Sequence, residues 1–342
     1  MARRVYCTYF DHNYLSRGLA LYQSLRRHAP ASRLWVLCLS EACHRALVAL
    51  DLPGLVARRL ADVEAAEPEV AATRASRNTV EYYFTISPAW LLYVLDRERD
   101  AEWVTYLDAD LYFYGTPEPI YEQLRDASIA ITPHRFTPGI ARMRKFGTYN
   151  VGWVGARNDA DGRRVIEWWR QKCIEWCHDY VDGGRFADQG YLDAFPGLSP
   201  RVKVIGHPGA NLAPWNIGNH AITDADGEVR IDGEWPLIFF HFQGLRRDLG
   251  FFVFNSHRRY RAPFSTAIRR HIYKPYVDEL LAIERSIAPV LEAEPAKPHR
   301  RSASFDLKQA VIGGARRFGH RTLQLLDIAT GRVFIVFRGT VR

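Results

Sequence analysis

Through the first half of the chain, short apolar runs alternate with stretches whose apolar residues recur at helical spacing. That alternation predicts a largely parallel sheet covered on both faces by helices. Val5–Tyr9, Leu34–Leu39 and Leu55–Leu60 read as strands, with Arg17–His28 and Ala42–Leu50 as the helices between them. Thr79–Leu95 reads as helical, with Pro88 as a kink or as a break between two helices. Trp103–Leu107 is a continuous apolar strand that stops at Asp108-Ala109-Asp110, before a second aromatic run, Leu111-Tyr112-Phe113-Tyr114. Ser128–Thr132 and Asn150–Val154 supply further strands, Asp161–Asp179 an amphipathic helix, and Val202–Ile205 and Leu237–Phe242 the last strands of the unit. Beyond Phe254 the chain turns basic and helical, notably over Phe264–Ile287.

The organisation predicted is an α/β domain over residues 1–250, a helical extension over 251–291, a Pro-rich charged linker over 292–304 and a basic amphipathic segment over 305–342. Charge follows this division. Residues 251–342 hold 17 Lys and Arg against 7 Asp and Glu, which leaves 29 against 31 for residues 1–250, so the overall +8 belongs to the C-terminal part. A near-neutral main domain argues against a broad nucleic-acid groove, and no nucleic-acid partner is expected. The basic tail reads either as a solvated helical face or as a segment able to lie on anionic lipid.

The five cysteines sit mostly in apolar runs without metal-binding spacing and read as buried thiols in a reducing compartment. The first residues run into a strand with no apolar leader, and the most apolar late stretch, 236–254, is interrupted by His241, Arg246, Arg247 and Asp248. The expected location is the cytoplasm, with peripheral contact at the inner membrane face through the tail.

Candidate chemistry centres on Asp108 and Asp110. By itself an Asp-x-Asp at a strand end also fits an ordinary turn. Here the pair lies between Tyr106-Leu107 and Leu111-Tyr112-Phe113, and burying two carboxylates costs several kcal/mol per ion unless a cation pairs with them. A hard divalent ion completed by substrate phosphate is the economical explanation, provided the backbone turns so that both side chains reach it. Phosphatases of the haloacid-dehalogenase type carry such a pair on their first strand, followed by Thr or Val, which does not fit this chain.

Several ordered blocks resemble the metal-dependent GT-A glycosyltransferases, most closely glycosyltransferase family 8, the glycogenin and bacterial galactosyltransferase group. They are Cys7-Thr8-Tyr9-Phe10-Asp11-His12-Asn13 with Gly18–Leu25, then Asp108-Ala109-Asp110, Asn150-Val151-Gly152, Asp188-Gln189 and His241-Phe242-Gln243-Gly244. The resemblance implies a GT-A fold with a mostly parallel central sheet flanked by helices and a basic helical C-terminal extension. It implies Asp108, Asp110 and His241 as ligands of Mn²⁺ or Mg²⁺, and Thr8, Asp11 and Asn13 around the nucleoside. Asn150 would lie beside the donor sugar, Asp188 on its hydroxyls and Gln189 near the reacting carbon. Gly244 would belong to the cofactor and donor site, and Arg77 would reach the donor. Where the family commonly has Lys-Pro-Trp this chain has Leu245-Arg246-Arg247, so Arg246 or Arg247 stands in for the phosphate-binding lysine.

The activity implied is transfer of a sugar from a nucleotide-sugar co-substrate, a UDP-sugar first of all, to a saccharide, lipid-linked or protein hydroxyl. Retention of anomeric configuration and a role in cell-envelope polysaccharide synthesis go with it. A metal-dependent nucleotidyltransferase or phosphatase is the alternative enzyme. A non-catalytic nucleotide-sugar or nucleic-acid binding protein is the alternative of another class.

Overall fold

The computed structural model describes residues 4–225, 227–248, 251–292, 333–337 and 340–341. From residue 293 the expected linker lies outside the described residues, as does most of the segment 305–342.

The chain opens with β1 (Arg4–Phe10), α1 (Leu15–His28), β2 (Arg33–Cys38), α2 (Glu41–Leu50) and β3 (Leu55–Arg59). Two short helices that the apolar pattern did not single out follow, α3 (Leu60–Ala66) and α4 (Pro68–Ala72), and lead to α5 (Thr79–Arg97). Helix α5 begins in a capping box, in which the Asn78 side chain accepts from the Glu81 amide and Glu81 accepts from the Asn78 amide. It runs as one helix through Pro88, which does not divide it into two. Then come β4 (Trp103–Leu107), β5 (Leu111–Phe113), α6 (Glu118–Glu122), β6 (Ile129–Pro133), β7 (Tyr149–Arg157) and α7 (Ala160–Glu175). Helix α7 stops short of the expected Asp179.

Seven strands form the central sheet in the order β3-β2-β1-β4-β7-β6-β8, with β8 at Val202–Val204. All neighbouring pairs are parallel except those of β7, which runs antiparallel to both β4 and β6. The period-two alternation of each strand divides two cores. Tyr6, Leu34, Val36, Trp103 and Leu107 face one core, whereas Val5, Cys7, Trp35, Leu37, Val104 and Tyr106 face the other. Helices α5 and α7 cover the second face, whose core holds Ile86, Trp90, Val165 and Trp169.

A three-stranded meander follows, β9 (Ile222–Ala225), β10 (Glu228–Ile231) and β11 (Trp235–Pro236). The run Leu237–Phe242 was expected to join the main unit as a strand. Its strand, β12 (Phe239–His241), instead pairs antiparallel with β5 in a separate two-stranded sheet. A hairpin of β13 (Leu245–Asp248) and β14 (Phe251–Phe254) leads to α9 (Asn255–Arg259), after the short α8 (Phe195–Leu198) earlier in the chain. A wider-wound turn, Ile268–Tyr273, runs into α10 (Lys274–Glu292). Tyr273, Tyr276, Val277 and Leu280 bury themselves in the same core as α1, β5 and β12. Near the C-terminus β15 (Val333–Phe337) adds to β14 and turns back as β16 (Thr340–Val341). No helix among the described residues is long and apolar enough to cross a membrane.

Trp153 joins the two sheets. It is fully buried on β7 and stacks on Phe239 of β12, with ring centroids 5.3 Å apart and planes 13° apart. Trp153→Ala is expected to destabilise the fold by about 3–5 kcal/mol, read as a lower denaturant midpoint at unchanged slope.

Candidate active site

The C-terminal ends of β1, β4 and β6 and the N-terminal start of the reversed β7 open on one edge of the sheet, where α/β folds place ligands. There a cleft of about 570 Å³ is lined by Asp11 and by the aromatic side chains of Tyr9, Tyr14, Tyr83, Phe136, Phe146, Trp215 and Tyr260. Asp108, Asp110, Asn150, Asp188, Gln189 and His241 also line it.

The backbone turns at residues 108–110, closed by the Leu111 amide donating to the Asp108 carbonyl at 3.2 Å. His241 arrives from the far end of the chain because β12 pairs with β5 in the register His241 opposite Leu111. Its Nε2 lies 3.1 Å from an Asp110 carboxylate oxygen and 3.6 Å from one of Asp108. Ligand atoms of all three residues fall within 4.8 Å of one another. On the other side of the ring, Nδ1 lies 3.3 Å from Asn150 Oδ1, so a proton on Nδ1 leaves the Nε2 lone pair facing the carboxylates.

A second layer holds Asn150 in turn. Its Nδ2 donates to Gln189 Oε1 at 3.0 Å, and the Gln189 amide donates to the Phe146 carbonyl at 2.8 Å. Gly152 makes this approach possible. A Cβ there would come 2.6 Å from Asn150 Oδ1 and 2.9 Å from the His241 ring.

Burial drives the electrostatics. It pushes the Asp108 carboxyl up to about 6, with Asp110 adding to the rise and His241 opposing it. At Asp110 burial also acts upward, but the charge and hydrogen bond of His241, with Arg17, hold the carboxyl below its ordinary range. His241 is driven down by burial and more than restored by Asp110 and Asp108. Asp188 is pushed up to about 7, first by burial and then by Asp108, and its Oδ2 has no hydrogen-bond partner among the described residues. Burial holds His134 neutral, with a pKa of about 3.

Among the described lining residues, five carboxylates (Asp11, Asp108, Asp110, Asp179 and Asp188) face one guanidinium, that of Arg259. Two carboxylates and one imidazole are a donor set that Mn²⁺ or Mg²⁺ accepts, and an anionic substrate meets net repulsion here unless a divalent cation is bound. The residues present therefore fit such an ion.

The other expected site residues are placed as follows. Asp11 lines the cleft, and its carboxylate caps the turn that follows, accepting from the amides of Asn13 and Tyr14 and from the Asn13 side chain. Asn13 is exposed and Thr8 fully buried, and neither lines the cleft. Arg77 donates to the Ile174 carbonyl and contacts His178, tying the start of α5 to the end of α7. Gly244 lies in a turn at φ +74°, against Ser256. Arg247 pairs with Glu284 of α10, and neither it nor Arg246 lines the cleft.

No protein-family model matches the chain. It is 35% identical over 249 residues to the uncharacterized protein YfnF of Bacillus subtilis, a match covering 70% of this chain and 81% of YfnF. It is 32% identical over 293 residues to the uncharacterized protein YfnD of the same organism, covering 85% of this chain and 92% of YfnD. The chain belongs to the YfnF and YfnD family. Among solved structures, an active-site mutant of LgtC aligns with a TM-score of 0.50 at 17% identity, covering 78% of this chain and 100% of LgtC. LgtC is a galactosyltransferase also crystallised with donor and acceptor sugar analogues. At this identity the likeness is one of fold, and the fold is GT-A.

This YfnF-family cleft holds residues that the apolar pattern did not mark. Tyr106, near the end of β4, donates its hydroxyl to Asp108 at 2.9 Å. His134 and Phe136 follow the C-terminal end of β6, a position that the strand-end rule singles out. Tyr260 and Arg259 come from α9 and the residue after it, with no local signal in the sequence.

Gly152→Ala is expected to displace His241 and weaken Mn²⁺ binding by about 10- to 100-fold with the fold retained, as measured by calorimetry beside circular dichroism. Metal ligands must be deprotonated to bind. Because Asp108 sits at about 6, Mn²⁺ affinity is expected to fall as the pH drops from 7.5 through 6, and an affinity flat across that range would contradict the ligand set.

Proposed function

We propose that this protein is a metal-dependent glycosyltransferase of the glycosyltransferase family 8 kind, moving a sugar from a nucleotide diphosphate, a UDP-sugar first of all, to a hydroxyl acceptor. One observation carries this reading: the Asp108, Asp110 and His241 ligand atoms converge in a cleft that is otherwise acidic. An acidic cleft is a poor surface for nucleic acid, which sets the nucleic-acid reading aside.

A divalent ion bound there supplies Lewis-acid charge to the diphosphate leaving group. Asp108, Asp110 and His241 would hold it. Tyr9, Tyr14 and Tyr83 offer ring faces near Asp11 for the nucleoside. Asp188, with a free buried carboxylate oxygen, would accept from sugar hydroxyls, and Asn150 would lie beside the sugar. Gln189 has its amide fixed by three hydrogen bonds and would lie near the anomeric carbon. Breaking the anomeric C–O bond leaves the electron pair on the diphosphate and the sugar with oxocarbenium character. The acceptor hydroxyl would form the new bond from the leaving-group face and give its proton to the departing diphosphate, with retention of configuration. Phe136, Phe146, Trp215 and Tyr260, which also line the cleft, would receive the acceptor, a saccharide or a lipid-linked sugar of the cell envelope. The protein would act in the cytoplasm, at the inner membrane face.

A screen of UDP-, GDP- and dTDP-sugars with Mn²⁺ is expected to show nucleoside diphosphate release from at least one donor, whereas pyrophosphate release would indicate a nucleotidyltransferase. Asp110→Asn is expected to lower that turnover by about 100- to 1,000-fold without changing the melting temperature by more than a few degrees. Unaltered turnover would sink the assignment.

A further inference from the structure

A diphosphate carries more negative charge than one divalent ion offsets, and arginine's planar fork is suited to hold it. Neither of the two arginines that follow the His241 block lines the cleft: Arg246 acts on the cleft residue Tyr14 only through its charge, and Arg247 is engaged by Glu284, its guanidinium 5.8 Å from the centroid of the Phe252 ring. Arg17 donates to the Leu245 carbonyl at 2.9 Å and does not line the cleft either. Arg259 does line it, is exposed, and has no carboxylate partner among the described residues.

Helix α9 holds Arg259 next to the metal-ligand turn by three contacts. Gly244 packs so closely on α9 that a Cβ there would collide with the Ser256 hydroxyl. Tyr260 donates its hydroxyl to Gln243 Oε1 at 2.9 Å. The Trp215 ring lies 5.0 Å from that of His241 and 6.0 Å from that of Tyr260, bridging the two. The loop that carries His241 and the helix that carries Arg259 are thus one packed unit.

We propose that Arg259 binds the diphosphate of the nucleotide donor, in the role that the sequence assigns to Arg246 or Arg247. This inference rests on the glycosyltransferase reading above. Arg259 would approach the phosphate oxygens from the α9 side of the cleft. It is a binding residue whose side chain touches substrate and leaves the metal ligands as they are.

The test is calorimetric binding of UDP, GDP and dTDP, each with Mn²⁺, and of the matching nucleosides, to the full chain and to its Arg259→Gln, Arg259→Lys and Arg247→Gln variants. Arg259→Gln is expected to weaken binding of the preferred diphosphate by about 10- to 100-fold, to leave Mn²⁺ and nucleoside binding as they are, and to be partly rescued in Arg259→Lys. Diphosphate binding unchanged in Arg259→Gln overturns the proposal. So does a loss confined to Arg247→Gln, or a loss that extends equally to the nucleoside. Failure of the unmodified chain to bind any of the three diphosphates with Mn²⁺ overturns the glycosyltransferase reading, and the Arg259 assignment with it.

Discussion

Two carboxylates held side by side at the end of a buried strand repel each other, and the cleft is organised around relieving that repulsion. His241 relieves part of it, at 3.1 Å from Asp110 and 3.6 Å from Asp108. The remaining charge is what makes the trio a receptor for a divalent cation. Everything that places the imidazole there is therefore under constraint: the β5–β12 register, the absence of a side chain at Gly152 and the orientation of the Asn150 amide. Trp153 stacked on Phe239 ties the small sheet that carries His241 to the large sheet that carries the carboxylates. Core packing and ligand geometry are in this way coupled through aromatic contacts, with Phe113 of β5 also packing on Trp153 and Tyr6.

The same edge shows how rigidity is built around a site that must admit two substrates. Gln189 is fixed by hydrogen bonds to a side chain and to backbone on both sides of its amide, and Asp188 follows Ala187, which adopts φ +47°. A left-handed conformation at a residue with a Cβ costs about 1–2 kcal/mol, and it turns the Asp188 carboxylate into the cleft. Aromatic rings line the cleft together with the carboxylates, so stacking surface and charge come from different side chains. Directly after the His241 block, β15 extends the β13–β14 hairpin, so part of the C-terminal segment is bound back to the body.

The central sheet was legible because each strand carries both a short apolar run and a period-two division between the two cores, as at Tyr6 against Val5 and Leu34 against Trp35. The Asp108–Asp110 pair was legible because charge between apolar runs is costly enough to need a reason. The Leu237–Phe242 run was recognisable as a strand, but nothing local states its partner. Strand pairing is a contact between distant segments, and β12 found β5 instead of the central sheet.

Local pattern and chemistry thus determined the α/β layering, the acidic pair and the order of the blocks that resemble the GT-A enzymes. Tertiary structure alone decided which cations face the cleft. Adjacent arginines at 246 and 247 look equivalent in sequence to a phosphate-binding lysine, yet Arg247 pairs with Glu284 on α10 while Arg259 opens on the cleft. The physical reason is that a side chain's partner depends on which distant helix packs against its strand. No spacing along the chain records that α10 lies beneath Arg247 or that α9 locks onto the turn at Gly244.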